Sequence, residues 1–226
     1  MKKFIQALSG RAEFLIVVLG SIGVALLSNV AELLDPQVAN QVQPLNNDLL
    51  VGAIGYELFV LVWLGLFLKL RGWSRERLGF SSSLRDTAIG VLLALLVLGT
   101  RWVIDLAVGN LAPGVLAAAQ ASAQVTGVLD MRGVVLLSIV DAAFEEVFMC
   151  AYVISALKDK RGAAFAVNVS VALRVACRLS QGVYGVLTIA PLALLFGYWY
   201  LRSGRIWPLL VGHALLGFIE LVTLGQ

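Results

Sequence analysis

The sequence predicts an all-helical membrane protein, a polytopic bundle of about seven transmembrane helices that forms one domain over residues 1–226. Composition is the first reason: 60% of the 226 residues are hydrophobic and 14% are charged, whereas soluble domains are about 45–50% apolar and about 25% charged. The mean hydropathy is +0.91. One water-soluble core cannot hold so many apolar side chains, so the excess must face lipid. Soluble enzymes, nucleic-acid-binding modules, disordered tails and disulfide scaffolds are thereby excluded.

Seven apolar segments are the second reason. Each approaches the roughly 20 helical residues that a hydrocarbon core requires. They cover residues 12–34, 49–70, 87–109, 133–157, 162–181, 183–201 and 206–225. Glu13 and the length of the first segment favour a retained anchor helix over a cleaved signal peptide. Turn-forming residues separate several of the segments: Pro36, Pro44, Pro113, Gly204 and Pro208.

The positive charges are the third reason, because they alternate between the two sides of the predicted bundle. Two of the predicted loops, residues 35–48 and 110–131, contain no Lys or Arg. Thirteen of the 17 Lys and Arg residues lie at alternate segment boundaries: Lys2, Lys3, Arg11, Lys69, Arg71, Arg75, Arg77, Arg85, Lys158, Lys160, Arg161, Arg202 and Arg205. The positive-inside rule then predicts seven crossings with a cytoplasmic N-terminus and an external C-terminus.

The net charge of +3 reports this orientation and does not indicate a nucleic-acid partner, since no basic cluster is interleaved with aromatic residues. The expected surroundings are a lipid bilayer, and the short loops suit a bacterial inner membrane. Cys150 and Cys177 both lie within apolar segments. They therefore predict neither a disulfide framework nor a paired-cysteine metal site.

Several ionisable residues fall within the predicted spans, where such groups usually face a bundle interior or an aqueous cavity. Arg101 and Asp105 are four residues apart on one helix, so they can neutralise each other. Arg132 lies at a helix end, where its side chain can reach the interface. Glu57 and Glu220 have no predicted partner.

The fourth apolar segment carries three carboxylates within two helical turns: Asp141, Glu145 and Glu146. On a regular helix Asp141 and Glu145 share a face, whereas Glu146 is turned about 100° from Glu145. Three acids at this depth require a strong counter-cation or a functional use, and we expect the latter.

The run Glu145–Tyr152, EEVFMCAY, resembles the first motif of the CPBP intramembrane proteases, a family that includes the CAAX prenyl proteases and the bacterial "Abi" or bacteriocin-processing proteins. The similarity covers about residues 130–225. Residues 196–208 and 212–215 resemble the family's final hairpin, and residues 71–74 and 78–80 resemble its segment before the third helix. The resemblance implies a catalytic-type four-helix core in residues 130–226, with three N-terminal helices and their loops in residues 1–129.

The same resemblance implies an endopeptidase in which a glutamate activates water to hydrolyse a peptide bond. It assigns catalytic roles to Glu145, Glu146 and His213, which is the single histidine of the chain. Arg178 occupies the position of the second motif's histidine. An arginine stays protonated, so Arg178 cannot serve as a base or a metal ligand. It can donate hydrogen bonds to an oxyanion, and it completes the implied site in that role.

Other positions depart from the family pattern. Cys150 and Ala151 stand where the first motif has arginine and usually glycine, and Arg174 stands where the second motif has phenylalanine. Gly217 replaces the asparagine or aspartate of the third motif. These losses predict reduced or absent activity. No cofactor is predicted firmly. A divalent metal such as zinc would need an unusual ligand set of Glu146, Cys150 and His213.

Charge compensation offers another interpretation of the two arginines. Arg174 and Arg178 are four residues apart and so project from one face of the next helix. If that face meets Glu145 and Glu146, the site becomes a closed ion-pair cluster.

Three functions therefore stay open. The first is an intramembrane endopeptidase with an altered site, acting on a membrane-associated peptide or protein. The second is a catalytically inactive family member that binds such a partner or a lipid. The third is a transporter or channel that uses the same polar residues. The third is the weakest, because the sequence shows no internal repeat and no pair of broken helices in corresponding halves.

Overall fold

The computed structural model describes residues 6–35, 44–122 and 125–225, and this described part is helical without strands. The predictions that involve Lys2, Lys3 and Pro36 lie outside it. Its elements are α1 (Gly10–Leu34), α2 (Asn47–Leu70), α3 (Leu84–Leu111), α4 (Pro113–Ser122), α5 (Met131–Glu145), a π-helical segment (Glu146–Ile154), α6 (Ser155–Arg161), α7 (Ala163–Ala176), a 3₁₀ turn (Leu179–Gln181), α8 (Gly182–Ser203) and α9 (Trp207–Leu224).

The helices fall where the apolar segments predict them, and the protein is an integral membrane protein. Five are long and apolar enough to cross a bilayer: α1, α2, α3, α8 together with the 3₁₀ turn, and α9. The predicted fourth span is a composite of α5, the π-helical segment and α6. The predicted fifth is α7, whose 14 residues extend only about 21 Å in a core about 30 Å thick. The predicted count of seven is therefore not confirmed.

Helix α4 lies in a region predicted to be a loop. Pro113 is its first residue, and proline is well tolerated there because the first helical N–H groups have no partner within the helix. Ala117, Ala118 and Ala119 follow, and alanine has the highest intrinsic helix propensity. The proline that predicts a turn thus begins a ten-residue helix.

The centre of the bundle is the continuous helical run formed by α5, the π-helical segment and α6. Helices α2 and α9 pack against α5, whereas α7 and α8 pack against the π-helical segment. All nine residues of that segment are buried. A π-helix forms i→i+5 hydrogen bonds and is common at functional sites. Ser170 on α7 donates to the buried carbonyl of Met149 at 2.7 Å, so α7 helps to stabilise this irregular segment.

Three of the basic segments predicted to share one side of the membrane meet at one end of the bundle. The amide of Ile206 donates to the carbonyl of Gly79 at 3.1 Å, and Arg205 forms an ion pair with Asp86 at 3.0 Å. Gly79 has a φ of 76°, and a Cβ there would lie 2.0 Å from the carbonyl oxygen of Gly204. Glycine is therefore required where the loop before α3 passes the loop after α8.

Glu13 joins the start of α1 to the same end of the bundle. Its carboxylate accepts hydrogen bonds from Arg71 Nε at 2.5 Å, Trp73 Nε1 at 3.0 Å and the Tyr152 hydroxyl at 3.4 Å. Arg71 also donates to the carbonyls of Gln6 and Leu8. The residue that indicates a retained anchor in the sequence thus connects α1, the loop after α2 and the π-helical segment.

Replacing Glu13 should destabilise the protein. Glu13→Gln removes the negative charge opposite Arg71, whose side chain is 12% exposed, and so breaks the ion pair that joins α1 to the loop after α2. We expect a loss of about 3 kcal/mol in the free energy of unfolding, measured by denaturant titration in detergent. Glu76→Gln is the matched control, since Glu76 is an exposed carboxylate in the loop after α2 that also contains Arg71. Equal stability of the Glu13→Gln variant and the wild type would contradict this role.

Candidate functional site

The predicted site residues converge where α5, the π-helical segment, α7 and α9 meet. Asp141 and Glu145 lie on α5, and Glu146 is the first residue of the π-helical segment. His213 comes from α9. The predicted separation of Glu145 and Glu146 onto different faces assumes a regular helix. In the structure both carboxylates lie within ion-pair distance of the same arginine on α7, Arg174.

Arg174 is the centre of the cluster. Its NH2 donates to Glu146 Oε1 at 2.9 Å, and its NH1 lies 3.3 Å from Glu145 Oε2. The Arg174 side chain is 1% exposed and that of Glu146 is 0% exposed. Charges buried to this degree persist only when they are paired. The guanidinium therefore bridges both glutamates in the interior of the bundle.

Arg178 lies at the rim of the same cluster. Its NH2 is 3.4 Å from Glu145 Oε1, and its side chain is 35% exposed. The predicted ion pairing of the two arginines with the two glutamates is thus confirmed. The central cation is Arg174, however, whereas the set of predicted catalytic residues contains Arg178. The difference between the two arginines is their burial, and the spacing of residues along one helix does not reveal which of two side chains is buried.

His213 is held by carboxylates on both sides of its ring. Its Nδ1 lies 2.7 Å from Glu146 Oε1, within hydrogen-bonding distance. Its Nε2 lies 3.7 Å from Asp141 Oδ2 and 3.9 Å from Glu145 Oε2. Nδ1–H can donate to Glu146, and an Nε2–H on the protonated ring would face the carboxylates of Asp141 and Glu145. The histidine therefore sits between the bridged glutamates and the more exposed Asp141.

Glu57, for which the sequence offers no partner, approaches this cluster from α2. Its carboxylate is within electrostatic range of Asp141, Glu145, His213 and Arg178. Its Oε2 is buried and has no hydrogen-bond partner in the described part of the chain. No motif includes Glu57. The one signal in the sequence that could indicate this position is the presence of an acid in an otherwise apolar span.

The other intramembrane charges have partners that differ from the predicted ones. Arg101 forms an ion pair with Glu220 on α9 at 3.2 Å, and Asp105 accepts a hydrogen bond from the Tyr184 hydroxyl at 2.7 Å. The predicted neutralisation of Arg101 by Asp105 on the same helix is therefore replaced by contacts between helices. Arg132, predicted at a helix end, is exposed at the start of α5.

The metal-ligand set that the structure assembles differs from the predicted one. Among the described residues, Glu145, Glu146 and His213 each offer a ligand atom within 4.8 Å of the others, so Glu145 takes the place of the predicted Cys150. The Arg174 guanidinium already lies against both carboxylates. A divalent cation there would repel the guanidinium strongly in a medium of low dielectric constant. The residues present therefore do not fit a resident metal.

The proton-accepting capacity of the glutamates is limited for the same reason. Glu145 has Arg178 near Oε1 and Arg174 near Oε2, while Glu146 Oε1 contacts both Arg174 and His213. A general base needs an oxygen that can approach the water and accept its proton. The cations paired with these oxygens therefore compete with a water molecule for the same positions.

Fold and site together define an integral membrane protein built around a buried network of carboxylates, arginines and one histidine. Residues 128–219 match the family model described as type II CAAX prenyl endopeptidase Rce1-like, in agreement with the resemblance in the sequence. The match includes α5 and α7 and reaches Ile219 in α9, so it contains the whole cluster apart from Glu57. Comparisons with curated proteins and with solved structures gave no match.

The two arginines should differ in their contribution to stability. Arg174→Ala leaves two buried carboxylates without their shared cation, so we expect a loss of about 3–5 kcal/mol in the free energy of unfolding. Arg178→Ala should cost about 1 kcal/mol, because this side chain is partly solvated, and Arg178→Lys should restore part of that loss. Denaturant titration of the three variants in one detergent measures the difference. Equal losses for the two alanine variants would show that Arg174 is not the central cation.

Proposed function

We propose that this protein keeps the fold of a CAAX-type intramembrane endopeptidase but does not hydrolyse peptide bonds, and that it binds a membrane-associated peptide or protein. The observation that carries the proposal is the Arg174 bridge between Glu145 and Glu146. It occupies the two carboxylates that the family resemblance assigns to water activation.

The replacements in the second and third motifs support the same conclusion. Arg178 lies at the rim of the cluster, at a position where the resemblance implies a histidine, and an arginine cannot exchange a proton at working pH. A Cβ added at Gly217 would lie 3.7 Å from Ser138 Cβ, so this position faces α5 close to Asp141. An asparagine or aspartate there would point toward the cluster, and glycine supplies no polar group.

A partner-binding role would use the polar side chains of the site that remain partly exposed. Asp141 and Arg178 are 29% and 35% exposed, so one acid and one cation remain accessible beside the buried bridge. Polar groups at membrane depth are costly and are usually retained for contacts with other polar groups. The accessible pair can accept hydrogen bonds from, and donate them to, the backbone of an extended peptide.

We also propose a membrane topology and a cellular location for the protein. We propose seven crossings, with the N-terminus in the cytoplasm of a bacterium and the C-terminus outside its inner membrane. The meeting of basic segments at one end of the bundle supports this orientation, because Lys and Arg accumulate on the cytoplasmic side.

A second candidate is an endopeptidase with an altered site. Glu145 Oε2 is buried without a hydrogen-bond partner among the described residues and lies 3.9 Å from His213 Nε2. A water molecule bonded to both groups could be activated by Glu145, while Arg178 would donate to the oxyanion.

Cleavage of a prenylated peptide with a C-terminal CAAX sequence distinguishes the two functions. Purified wild-type protein in liposomes should cleave it no faster than the Glu145→Gln variant, because Arg174 already pairs with both glutamates of the wild type. Binding of the same peptide should nevertheless be detectable by fluorescence anisotropy, and Asp141→Asn should weaken it. Cleavage by the wild type that disappears in Glu145→Gln would establish the second candidate and reject the first.

A variant that restores the family pattern serves as the positive comparison. Cys150 is 1% exposed, so an arginine introduced there has space and charge balance only if Arg174 is removed. Cys150→Arg with Arg174→Phe, Arg178→His and Gly217→Asn should therefore gain cleavage that the wild type lacks. A gain with the Arg178→His change alone would show that the Arg174 bridge does not block the reaction.

A further inference from the structure

A groove follows one face of α8 over its last turns, and it shares no residue with the ion-pair cluster. Its volume is about 500 Å³, and its lining residues are Leu195, Tyr198, Trp199, Arg202 and Ser203. These positions follow the i, i+3, i+4, i+7 spacing of a single helical face. The groove is therefore apolar and aromatic at one end and cationic at the other.

Two residues that line this groove carry hydrogen-bond donors without acceptors among the described residues. Arg202 is exposed, and within the described part of the chain no hydrogen bond or ion pair involves its side chain. The indole Nε1 of Trp199 is buried and has no acceptor among the described residues. The exposed Arg202 guanidinium is the donor that a ligand in the groove can reach, and it favours a ligand that carries acceptor oxygens.

The groove lies at the end of a membrane-spanning candidate helix, where we expect lipid headgroups to meet the protein. Helix α8 is a membrane-spanning candidate, and Arg202 and Ser203 belong to its last turn before Gly204. Trp and Tyr side chains concentrate at this depth because their rings are amphipathic.

The surrounding charge is predominantly positive. Asp86, a buried acid at this end of the bundle, is already paired with Arg205, and Glu13 is already paired with Arg71. Arg75 and Arg85 are exposed in the loop before α3 and in its first turn. This surface therefore attracts anions, and a membrane supplies anionic phospholipids at this level.

We propose that this groove is a binding site for an anionic phospholipid. Its phosphodiester oxygens accept hydrogen bonds from the Arg202 guanidinium and the Ser203 hydroxyl. Its glycerol ester oxygens lie at the level of the Trp199 indole, and an acyl chain lies along Leu195 and Tyr198. Arg202 supplies charge selectivity, and the aromatic rings hold the lipid at the interface.

Native mass spectrometry of the detergent-solubilised protein tests the proposal with phosphatidylglycerol and phosphatidylcholine of identical acyl chains. The wild type should bind phosphatidylglycerol about fivefold more tightly, the effect of one arginine near a lipid surface. Arg202→Gln should lose this preference, and Trp199→Phe should reduce affinity for both lipids. Arg75→Gln is the matched control, since it removes one exposed positive charge at the same end of the bundle and should retain the preference.

Two results would overturn the proposal. An equal loss of preference in Arg75→Gln and Arg202→Gln would show that the attraction is diffuse and has no specific site. Displacement of phosphatidylglycerol by inorganic phosphate at a similar concentration would show a simple anion site without acyl-chain recognition. A circular dichroism melt of each variant establishes that the substituted proteins are folded, so that a lost preference reports the groove.

Discussion

The arrangement of the bundle interior depends on the compensation of one buried charge. A guanidinium that is 1% exposed, as that of Arg174 is, cannot stay in a low-dielectric interior without anions against it. Glu145 and Glu146 supply them from the central helical run, and His213 extends the network to α9. The lateral position of α7 follows from this requirement, because moving α7 away would separate Arg174 from both glutamates.

The irregular helix and the charge cluster are parts of one arrangement. The π-helical segment begins at Glu146, and all of it is buried. Its unusual backbone is stabilised from α7 by Ser170, one helical turn before Arg174, and from α8 by the Tyr200 hydroxyl, which donates to the carbonyl of Ala151. Helix α7 therefore supplies both the Arg174 guanidinium and a hydrogen-bond donor to the backbone of the π-helical segment. The centre of this region is therefore occupied by ion pairs between α7 and the central helical run.

The sequence predicts most of the helices, because apolar length and the placement of Lys and Arg are local properties. It also suggests that Arg174 and Arg178 meet Glu145 and Glu146, since two adjacent acids in an apolar span need cations nearby. It does not reveal the π-helical segment, because hydrogen-bond register depends on packing from α7 and α8. The pairing of Arg101 with Glu220, instead of Asp105, and the three contacts of Glu13 depend on contacts between helices, which spacing along one helix cannot show.

A double-mutant cycle between Arg174 and Glu146 tests the central claim most directly. The unfolding free energies of Arg174→Met, Glu146→Met and the double variant are compared with that of the wild type in one detergent. Each single change should cost about 3 kcal/mol or more, and the double variant should cost less than their sum by about 2 kcal/mol or more. Additive losses, within about 0.5 kcal/mol, would show that the two side chains do not depend on each other and would contradict the account of a closed site.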